Sequence, residues 1–156
     1  MDDPGCSVVG HAMQEKDVED ILAAPEVSIC TDSAAAPGDG SPLDGITAHP
    51  RGFGTFPRVL GHYVRDRRVL SLEAAVRKMT SLPAAQLGLA GRGVLAAGAA
   101  ADLVVLDPAT VGSPATFLDP YRFPVGIQTV VVNGVVAVEG SRVVGRSGRV
   151  LRQVSA

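Results

Sequence analysis

IQTVVVNGVVAVEG, residues 127–140, carries the clearest local signal in the sequence. Asn133 and Gly134 stand between two runs of β-branched residues, and this pair is the preferred sequence of a two-residue type I′ hairpin. Gly140 and Ser141 offer a second turn into another short apolar run. The stretch therefore predicts a small β-region near the end of the chain.

The residues before this hairpin predict one further strand. The apolar run ADLVVLD at 101–107 is stopped by Pro108, and a loop rich in proline and glycine follows it over 108–126. Glycines cluster from residue 91 onward, where the pattern of the sequence changes. We therefore expect a boundary near residue 91, with residues 91–156 forming either a different module from residues 1–90 or a β-cap on it.

Upstream of residue 91, the pattern alternates between helices and an apolar strand. Apolar residues recur at helical spacing in several segments, and a short apolar run between two of them predicts a strand. In chain order we predict a helix within 13–24 that ends at Pro25, a strand at Val27–Thr31, a loop at Ala34–Gly45, a helix within 56–66 and a helix that begins after Ser71. This order is typical of a segment of an alternating α/β fold.

The last of these helices has a start signal and a predicted buried face. Ser71 is a suitable N-cap residue, and Glu73 would lie in the first turn. Leu72, Val76 and Met79 fall at helical positions i, i+4 and i+7. We expect these three side chains to form the buried stripe.

The composition argues against several classes of function. The chain has 156 residues, 46% of them hydrophobic, which suits one globular domain with a real core. Its net charge is −2 and no basic patch stands out, so we expect neither nucleic acid nor a membrane as a partner. Two cysteines at no metal-like spacing are expected to be small buried apolar residues of a reduced, cytoplasmic protein.

The run VSICTDS at 27–33 ends on a carboxylate, Asp32. Functional residues of parallel α/β folds collect at the carboxyl ends of strands. A carboxylate at that position can bind a metal or take a proton from a metal-bound water. Asp followed by Ser is also a common turn and capping pair, and the local sequence leaves both interpretations open.

A second candidate site is AHPRGFGTFPR at 48–58. Two glycines and two prolines restrict the backbone around His49 and two arginines, of which Arg51 directly follows the His-Pro pair. Arginine is suited to bidentate recognition of a carboxylate, although a structured loop with solvated arginines is the alternative. The motifs H-x-H, H-E-x-x-H and C-x-x-C are absent, so a complete metal site cannot be recognised in this sequence.

Five blocks of sequence occur here in a characteristic order. They are TDS at 31–33, AHPRGFGTFPRVLGHYVRD at 48–66, LSLEAAVRKMTSLPAAQLGL at 70–89, GRGVLAAGAAADLVVLDP at 91–108 and VVVNGVVAVEG at 130–140. The order resembles the N-acyl-D-amino-acid deacylases, or D-aminoacylases, of the amidohydrolase superfamily. The second and third blocks are the most specific to that family, whereas the last two are shared across the superfamily.

The resemblance implies a fold of the α/β class: a metal-dependent (β/α)8 barrel with a small β-sandwich made from both chain ends. Residues 1–90 would form the last βα units of the barrel, and residues 91–156 the C-terminal segment of the sandwich. We therefore expect a C-terminal portion of such an enzyme, inactive alone and dependent on a complementary N-terminal fragment.

The same resemblance implies zinc-dependent hydrolysis of the amide bond of an N-acyl-D-amino acid. Asp32 would act as general base toward a zinc-bound water and then as acid toward the leaving amine. Arg51 would bind the α-carboxylate of the substrate, with His49 beside it. Asp32 is also a candidate metal ligand, and the family's other ligands are expected outside this sequence. The family usually has SDG where Thr31-Asp32-Ser33 stands, which predicts an altered backbone path after Asp32.

Two alternatives stay open at this point. The chain could belong to another amidohydrolase, similar to a dihydroorotase, a hydantoinase or a deaminase, although the block at 48–66 argues against these. It could also be a non-catalytic remnant or the interaction module of a split enzyme.

Overall fold

The computed structural model describes residue 10, residues 12–33 and residues 49–151. Helices occupy the first part of this range and an antiparallel sheet occupies the last part. The helices are α1 (Glu15–Ala23), α2 (Arg51–Arg58), a π-helix that continues α2 (Val59–Asp66), α3 (Leu72–Met79) and α4 (Ser81–Gln86). The strands are β1 (Leu103–Leu106), β2 (Ile127–Val132), β3 (Val135–Glu139) and β4 (Arg142–Val143). The loop predicted at 34–45 lies outside the described residues.

The ends of two helices agree with the capping signals. Helix α1 ends at Ala23, two residues before Pro25, as predicted. At the start of α3, the hydroxyl of Ser71 accepts a hydrogen bond from the amide of Ala74 at 3.2 Å, so the predicted N-cap is confirmed.

The π-helix differs from the ordinary helix that the sequence predicts for this segment. At its end, the amide of Arg67 donates to the carbonyl of His62, five residues back, at 2.8 Å. Gly61 allows this helix to lie against the loop after β1, because a Cβ atom at Gly61 would lie 2.5 Å from the carbonyl oxygen of Val111. The guanidinium of Arg65 donates to the same carbonyl at 2.6 Å.

The core lies where α1, the π-helix and α3 meet the loop after β1. Its buried members are Leu22, Val59, Leu60, Tyr63, Ala75 and Val111. Ala75 is fully buried and Val111 nearly so, which shows how closely the four segments approach one another. The loop after β1 therefore joins the helices to the sheet through a shared apolar cluster.

Two predictions about the helical part are wrong. Val27–Thr31 is not a strand, because the described part of the chain offers it no neighbouring strand to pair with. The predicted stripe on α3 is rotated, since Val76 is 41% exposed whereas Ala75 and Lys78 are buried. The structured loop that was the alternative interpretation of residues 48–58 is instead a helix from Arg51 onward, despite its glycines.

The sheet confirms the predicted hairpin. The four strands pair antiparallel in the order β1-β2-β3-β4, so every neighbour in space is also the neighbour in sequence. Asn133 and Gly134 connect β2 to β3 with φ values of 49° and 81°, the left-handed pair that a type I′ turn requires. Gly140, at φ 59°, forms the second predicted turn before β4.

A polar network holds the hairpin turn in place. Arg92 forms an ion pair with Asp102 and donates to the side-chain oxygen of Asn133 at 2.6 Å. The backbone amide of Asn133 donates to Asp102 at 2.8 Å, and its side-chain amide donates to the carbonyl of Ser147 at 2.6 Å. We call these four residues the turn network. Within the described residues, the helices are all too short or too polar to cross a lipid bilayer.

Candidate active site

Asp32 lies near the end of the segment 27–33, which follows α1 and has no helix or strand. The amide of Ile29 donates to the carbonyl of Lys78 at 3.0 Å, which fixes the middle of this segment against α3. The chain then turns at Asp32, which has a positive φ of 47°. Aspartate is one of the few non-glycine residues that tolerate this left-handed conformation. Cys30 beside it is exposed, so the expectation that it is buried is wrong.

The structure brings Asp32 and Arg51 together. Nη2 of Arg51 lies 3.1 Å from Oδ2 of Asp32, so the guanidinium and the carboxylate form an ion pair. The side chain of Asp32 is 80% exposed and that of Arg51 is 44% exposed. An ion pair this open to water contributes little to stability, because both charges are well solvated without it. The pair is therefore accessible to a ligand.

His49 lies beside this pair at the start of α2. Its Nδ1 accepts a hydrogen bond from the backbone amide of Arg51 at 3.1 Å, so the neutral ring carries its proton on Nε2. The ring meets Phe117 edge to face, with 5.0 Å between centroids. His49 thus links the start of α2, where Arg51 is the first residue, to the loop after β1.

Ser33 contacts the same helix start from the other side. A Cβ atom at Gly52 would lie 2.8 Å from the hydroxyl oxygen of Ser33, so glycine leaves the space that this hydroxyl uses. Ser33, the residue that follows Asp32, therefore lies close to α2, and the altered backbone path after Asp32 stays a prediction. Asp32, Arg51 and His49, the three site residues predicted from sequence, all belong to this one region.

Sequence reasoning missed the aromatic contacts that hold α2 in place. Phe53 meets Tyr121 and Phe123 edge to face, at centroid distances of 5.8 and 5.6 Å. Such pairs stabilise a helix orientation beyond simple area burial. The clustering of Phe117, Tyr121 and Phe123 within a few residues, in a chain with 4% aromatic residues, was the available signal.

A separate polar cleft lies between α1 and the π-helix, lined by Glu15, Arg58, His62 and Arg67. Nε2 of His62 lies 3.5 Å from the Glu15 carboxylate. A hydrogen bond from the Tyr63 hydroxyl, aided by the charge of Arg58, lowers the pKa of Glu15, while burial raises the pKa of Tyr63. These contacts join α1 to the π-helix and involve none of the three predicted site residues.

The described residues do not form a metal site by themselves. Across residue 10, residues 12–33 and residues 49–151, no group of three or more His, Cys, Asp and Glu side chains is arranged to hold a metal ion. Asp32 could supply one oxygen ligand, and a zinc ion in proteins takes about four ligands. Any zinc ion bound near Asp32 would need its other ligands from outside this set.

Comparison with known proteins bears on this region directly. A family model described as "Amidohydrolase family" matches residues 31–138, which include Asp32, His49 and Arg51. The D-aminoacylase of Alcaligenes xylosoxydans xylosoxydans is 50% identical over 145 residues, which are 92% of this chain and 28% of that protein.

Solved structures give the same result at the level of the fold. A D-aminoacylase structure described by the functional role of its binuclear metal centre matches with a TM-score of 0.78 and 48% identity, covering 86% of this chain and 27% of that one. The N-acyl-D-glutamate deacylase of Bordetella bronchiseptica, complexed with zinc and a phosphonate inhibitor, matches with a TM-score of 0.67 and 46% identity, covering 80% of this chain and 25% of that one.

These matches have two consequences. The chain shares the fold of D-aminoacylase structures over its helices and antiparallel sheet, but it spans only about a quarter of the length of the proteins it matches. The named relatives are deacylases, so the dihydroorotase-like, hydantoinase-like and deaminase-like alternatives are not favoured.

Proposed function

The chain belongs to the amidohydrolase family, and we propose that it contributes the proton-transfer and substrate-carboxylate groups of a metal-dependent deacylase of N-acyl-D-amino acids. One observation carries the proposal: a carboxylate and a guanidinium from separate segments meet at 3.1 Å and remain exposed. The substrate has two features that these groups match. Its amide bond needs a proton carrier for hydrolysis, and its α-carboxylate needs a cationic partner.

Asp32 would move one proton during the reaction. Its carboxylate accepts a proton from the attacking water as the oxygen bonds to the acyl carbon. The same Oδ atom then donates that proton to the amine nitrogen as the carbon–nitrogen bond breaks. Cleavage leaves a carboxylic acid and a free amine, and Asp32 returns to its starting charge. The acid then passes its proton to the amine through solvent, which gives a carboxylate and a free D-amino acid.

Arg51 would bind the α-carboxylate of the substrate. A guanidinium has five N–H donors, and the ion pair with Asp32 involves only its Nη2 atom. A substrate carboxylate can therefore replace Asp32 as the partner of Arg51. This exchange would release the Asp32 carboxylate for proton transfer at the moment the substrate arrives. His49, which accepts from the Arg51 amide, would keep the start of α2 in position.

We also propose that the whole protein, of which this chain is a part, uses zinc as its metal. Two of the matched proteins are described by a binuclear metal centre and by bound zinc. The described residues supply at most Asp32 as a ligand, so the remaining ligands would come from elsewhere. A complementary N-terminal fragment would be the partner that provides them.

The finer architecture is also part of the proposal. Residues 1–90 would contribute the last βα units of a (β/α)8 barrel, and residues 91–156 the C-terminal segment of a β-sandwich. The strand-like composition of Val27–Thr31 supports this, because a barrel would supply the neighbouring strands that the described residues do not provide. A cytoplasmic location remains a prediction from the two cysteines.

A chimera tests the proposed function. This chain would replace the matching segment of the Alcaligenes D-aminoacylase, with N-acetyl-D-methionine and N-acetyl-D-glutamate as substrates and zinc present. We expect turnover by the chimera and none by the 156-residue chain alone. Asp32→Asn in the chimera should lower kcat on the order of 1,000-fold, since an amide cannot accept the proton.

Matched variants separate the two proposed roles. Arg51→Met should raise KM about 100-fold, because the lost guanidinium is expected to bind the substrate carboxylate. Lys16→Met, a change at an exposed cation on α1, serves as the control and should leave both constants unchanged. A chimera that folds and loads zinc but keeps its kcat after Asp32→Asn would refute the role of Asp32. Turnover by the chain alone would refute the need for a complementary segment.

A further inference from the structure

Lys78 is a charged side chain in the core, with only 3% of its surface exposed. Its ammonium donates to the backbone carbonyls of Ala24 and Val27, the latter at 2.9 Å. Burial, together with the charge of Arg77, lowers the pKa of Lys78. Placing a cation in the core is costly even when it is hydrogen-bonded, and a methionine would fill a similar space. Packing alone therefore does not account for a lysine here.

The acceptors of Lys78 lie in the stretch that connects α1 to Asp32. Helices α3 and α4 make further hydrogen bonds to the same stretch. They are Ile29 N–H to the Lys78 carbonyl at 3.0 Å, Arg77 to the Pro25 carbonyl at 3.0 Å, Gln86 to the Glu26 carbonyl at 3.2 Å, and the Ser28 hydroxyl to Gln86 at 2.7 Å. We call this set the 24–29 clamp. It contacts each residue from Ala24 to Ile29.

The clamp ends three residues before Asp32. Three residues span at most about 11 Å, so the clamp limits how far Asp32 can move. We propose that Lys78 and Gln86 are positioning residues for Asp32, fixing residues 24–29 so that the carboxylate meets Arg51. The proposal rests on the proposed function of Asp32. Neither residue touches Asp32, so both act through the backbone of residues 24–29.

The position of Asp32 is expected to depend on Lys78, whereas the position of Arg51 is not. Arg51 begins α2, which is held by the aromatic contacts of Phe53 and by His49. None of those contacts involves the clamp. Loss of Lys78 should therefore move the proton carrier and leave the carboxylate-binding group in place.

Amide hydrogen exchange on the full chain tests the positional effect without catalysis. In Lys78→Met we expect the Ile29 amide to exchange about tenfold faster or more, with the hairpin amides of Val130 and Val138 unchanged. The Asp32 and Ser33 resonances should shift in the same variant. Lys16→Met, at an exposed lysine on α1, should change none of these signals.

Kinetics of the chimera provide the second measurement. Lys78→Met should lower kcat on the order of 100-fold, the effect of displacing a reacting group by about 1 Å, with KM changed less than about twofold. A role in stability alone would lower the amount of folded enzyme and leave the kcat of the folded fraction unchanged. Measuring the concentration of zinc-loaded active sites distinguishes a lower kcat from a lower amount of folded enzyme.

Gln86→Leu keeps the test valid should Lys78→Met fail to fold. Gln86 is exposed, so its replacement removes two clamp bonds without a change in the core. In Gln86→Leu, the Ile29 amide should again exchange faster and the Asp32 and Ser33 resonances should again shift. Unchanged Ile29 exchange and unchanged Asp32 resonances in the folded variants would overturn the proposal. A chimera that is inactive with Lys78 intact would instead refute the proposed function, while the exchange data would still decide whether the clamp positions Asp32.

Discussion

Asn133 and Asp32 share an unusual backbone conformation, but their side chains make very different contacts. Both are non-glycine residues in the left-handed region, at φ 49° and 47°. Asn133 is held by the turn network, in which Arg92, Asp102 and Ser147 all bond to it. Asp32 instead presents an 80% exposed carboxylate to solvent and to Arg51.

This difference separates a structural residue from a candidate functional one. The left-handed conformation costs roughly 1–2 kcal/mol for most residues, and less for Asn and Asp. At Asn133, hydrogen bonds to the residue itself offset the cost. At Asp32, the side chain forms one exposed ion pair with Arg51. Residues held in such uncommon backbone conformations cluster at functional sites.

The largest effect on stability is expected at Asn133. Asn133→Ala removes two side-chain hydrogen bonds and forces alanine into the left-handed region, which should lower the free energy of unfolding by about 3 kcal/mol. Urea unfolding followed by circular dichroism measures the change. Asn133→Gly is the matched control, because it loses the same bonds without the backbone penalty and should cost about 1 kcal/mol less. Equal losses in the two variants would mean that the conformation of the turn contributes nothing.

A smaller effect is expected at Asp32. Asp32→Ala should lower the free energy of unfolding by about 1 kcal/mol, because the lost ion pair is exposed and only the backbone penalty remains. Asp32→Gly should recover most of that loss in the same urea experiment. If Asp32→Ala lowered the free energy of unfolding as much as Asn133→Ala, Asp32 would have a structural role as large as that of Asn133, and the contrast between the two residues would be wrong.

The smallest effect is a pH dependence at the junction of α1 and the π-helix. The Tyr63 hydroxyl and the Arg58 charge hold the pKa of Glu15 below its ordinary value of 4.5. A carboxyl whose pKa is lowered by folding stabilises the folded state above its unfolded pKa, and this contribution is lost as the pH falls through the folded value. Glu15→Gln should therefore flatten the loss of stability below pH 4.5, as measured by urea midpoints across pH. Asp66→Asn, at another exposed carboxylate of the helical part, is the control, and an equal flattening there would contradict a specific role for Glu15.

The local parts of the fold could be predicted from the sequence. The hairpin follows from Asn133 and Gly134, because a type I′ turn depends on two adjacent residues. The start of α3 follows from Ser71 for the same reason. Asp32, Arg51 and His49 could be named as site residues from the resemblance, whereas their juxtaposition needed the structure.

The errors arose where distant contacts decide the outcome. Val27–Thr31 has the composition of a strand, but pairing requires a neighbour that the described chain does not provide. Gly52 and Gly54 disfavour a helix locally. In α2 they allow Ser33 and the loop after β1 to approach the helix closely, which the local sequence does not reveal. Lys78 was missed because a lysine normally indicates an exposed face, and its acceptors lie more than 50 residues earlier.

The sequence separation within the 24–29 clamp has a consequence for the order of folding. Its side-chain bonds close loops of 51 to 60 residues, whereas the hairpin closes across two. Short loops close first because they lose less chain entropy, so the hairpin and the single helices can form while the clamp is still open. During synthesis, the clamp cannot close until Gln86 has left the ribosome. Asp32 is made before α3 and α4, and it therefore reaches its native position only after both helices have been synthesised.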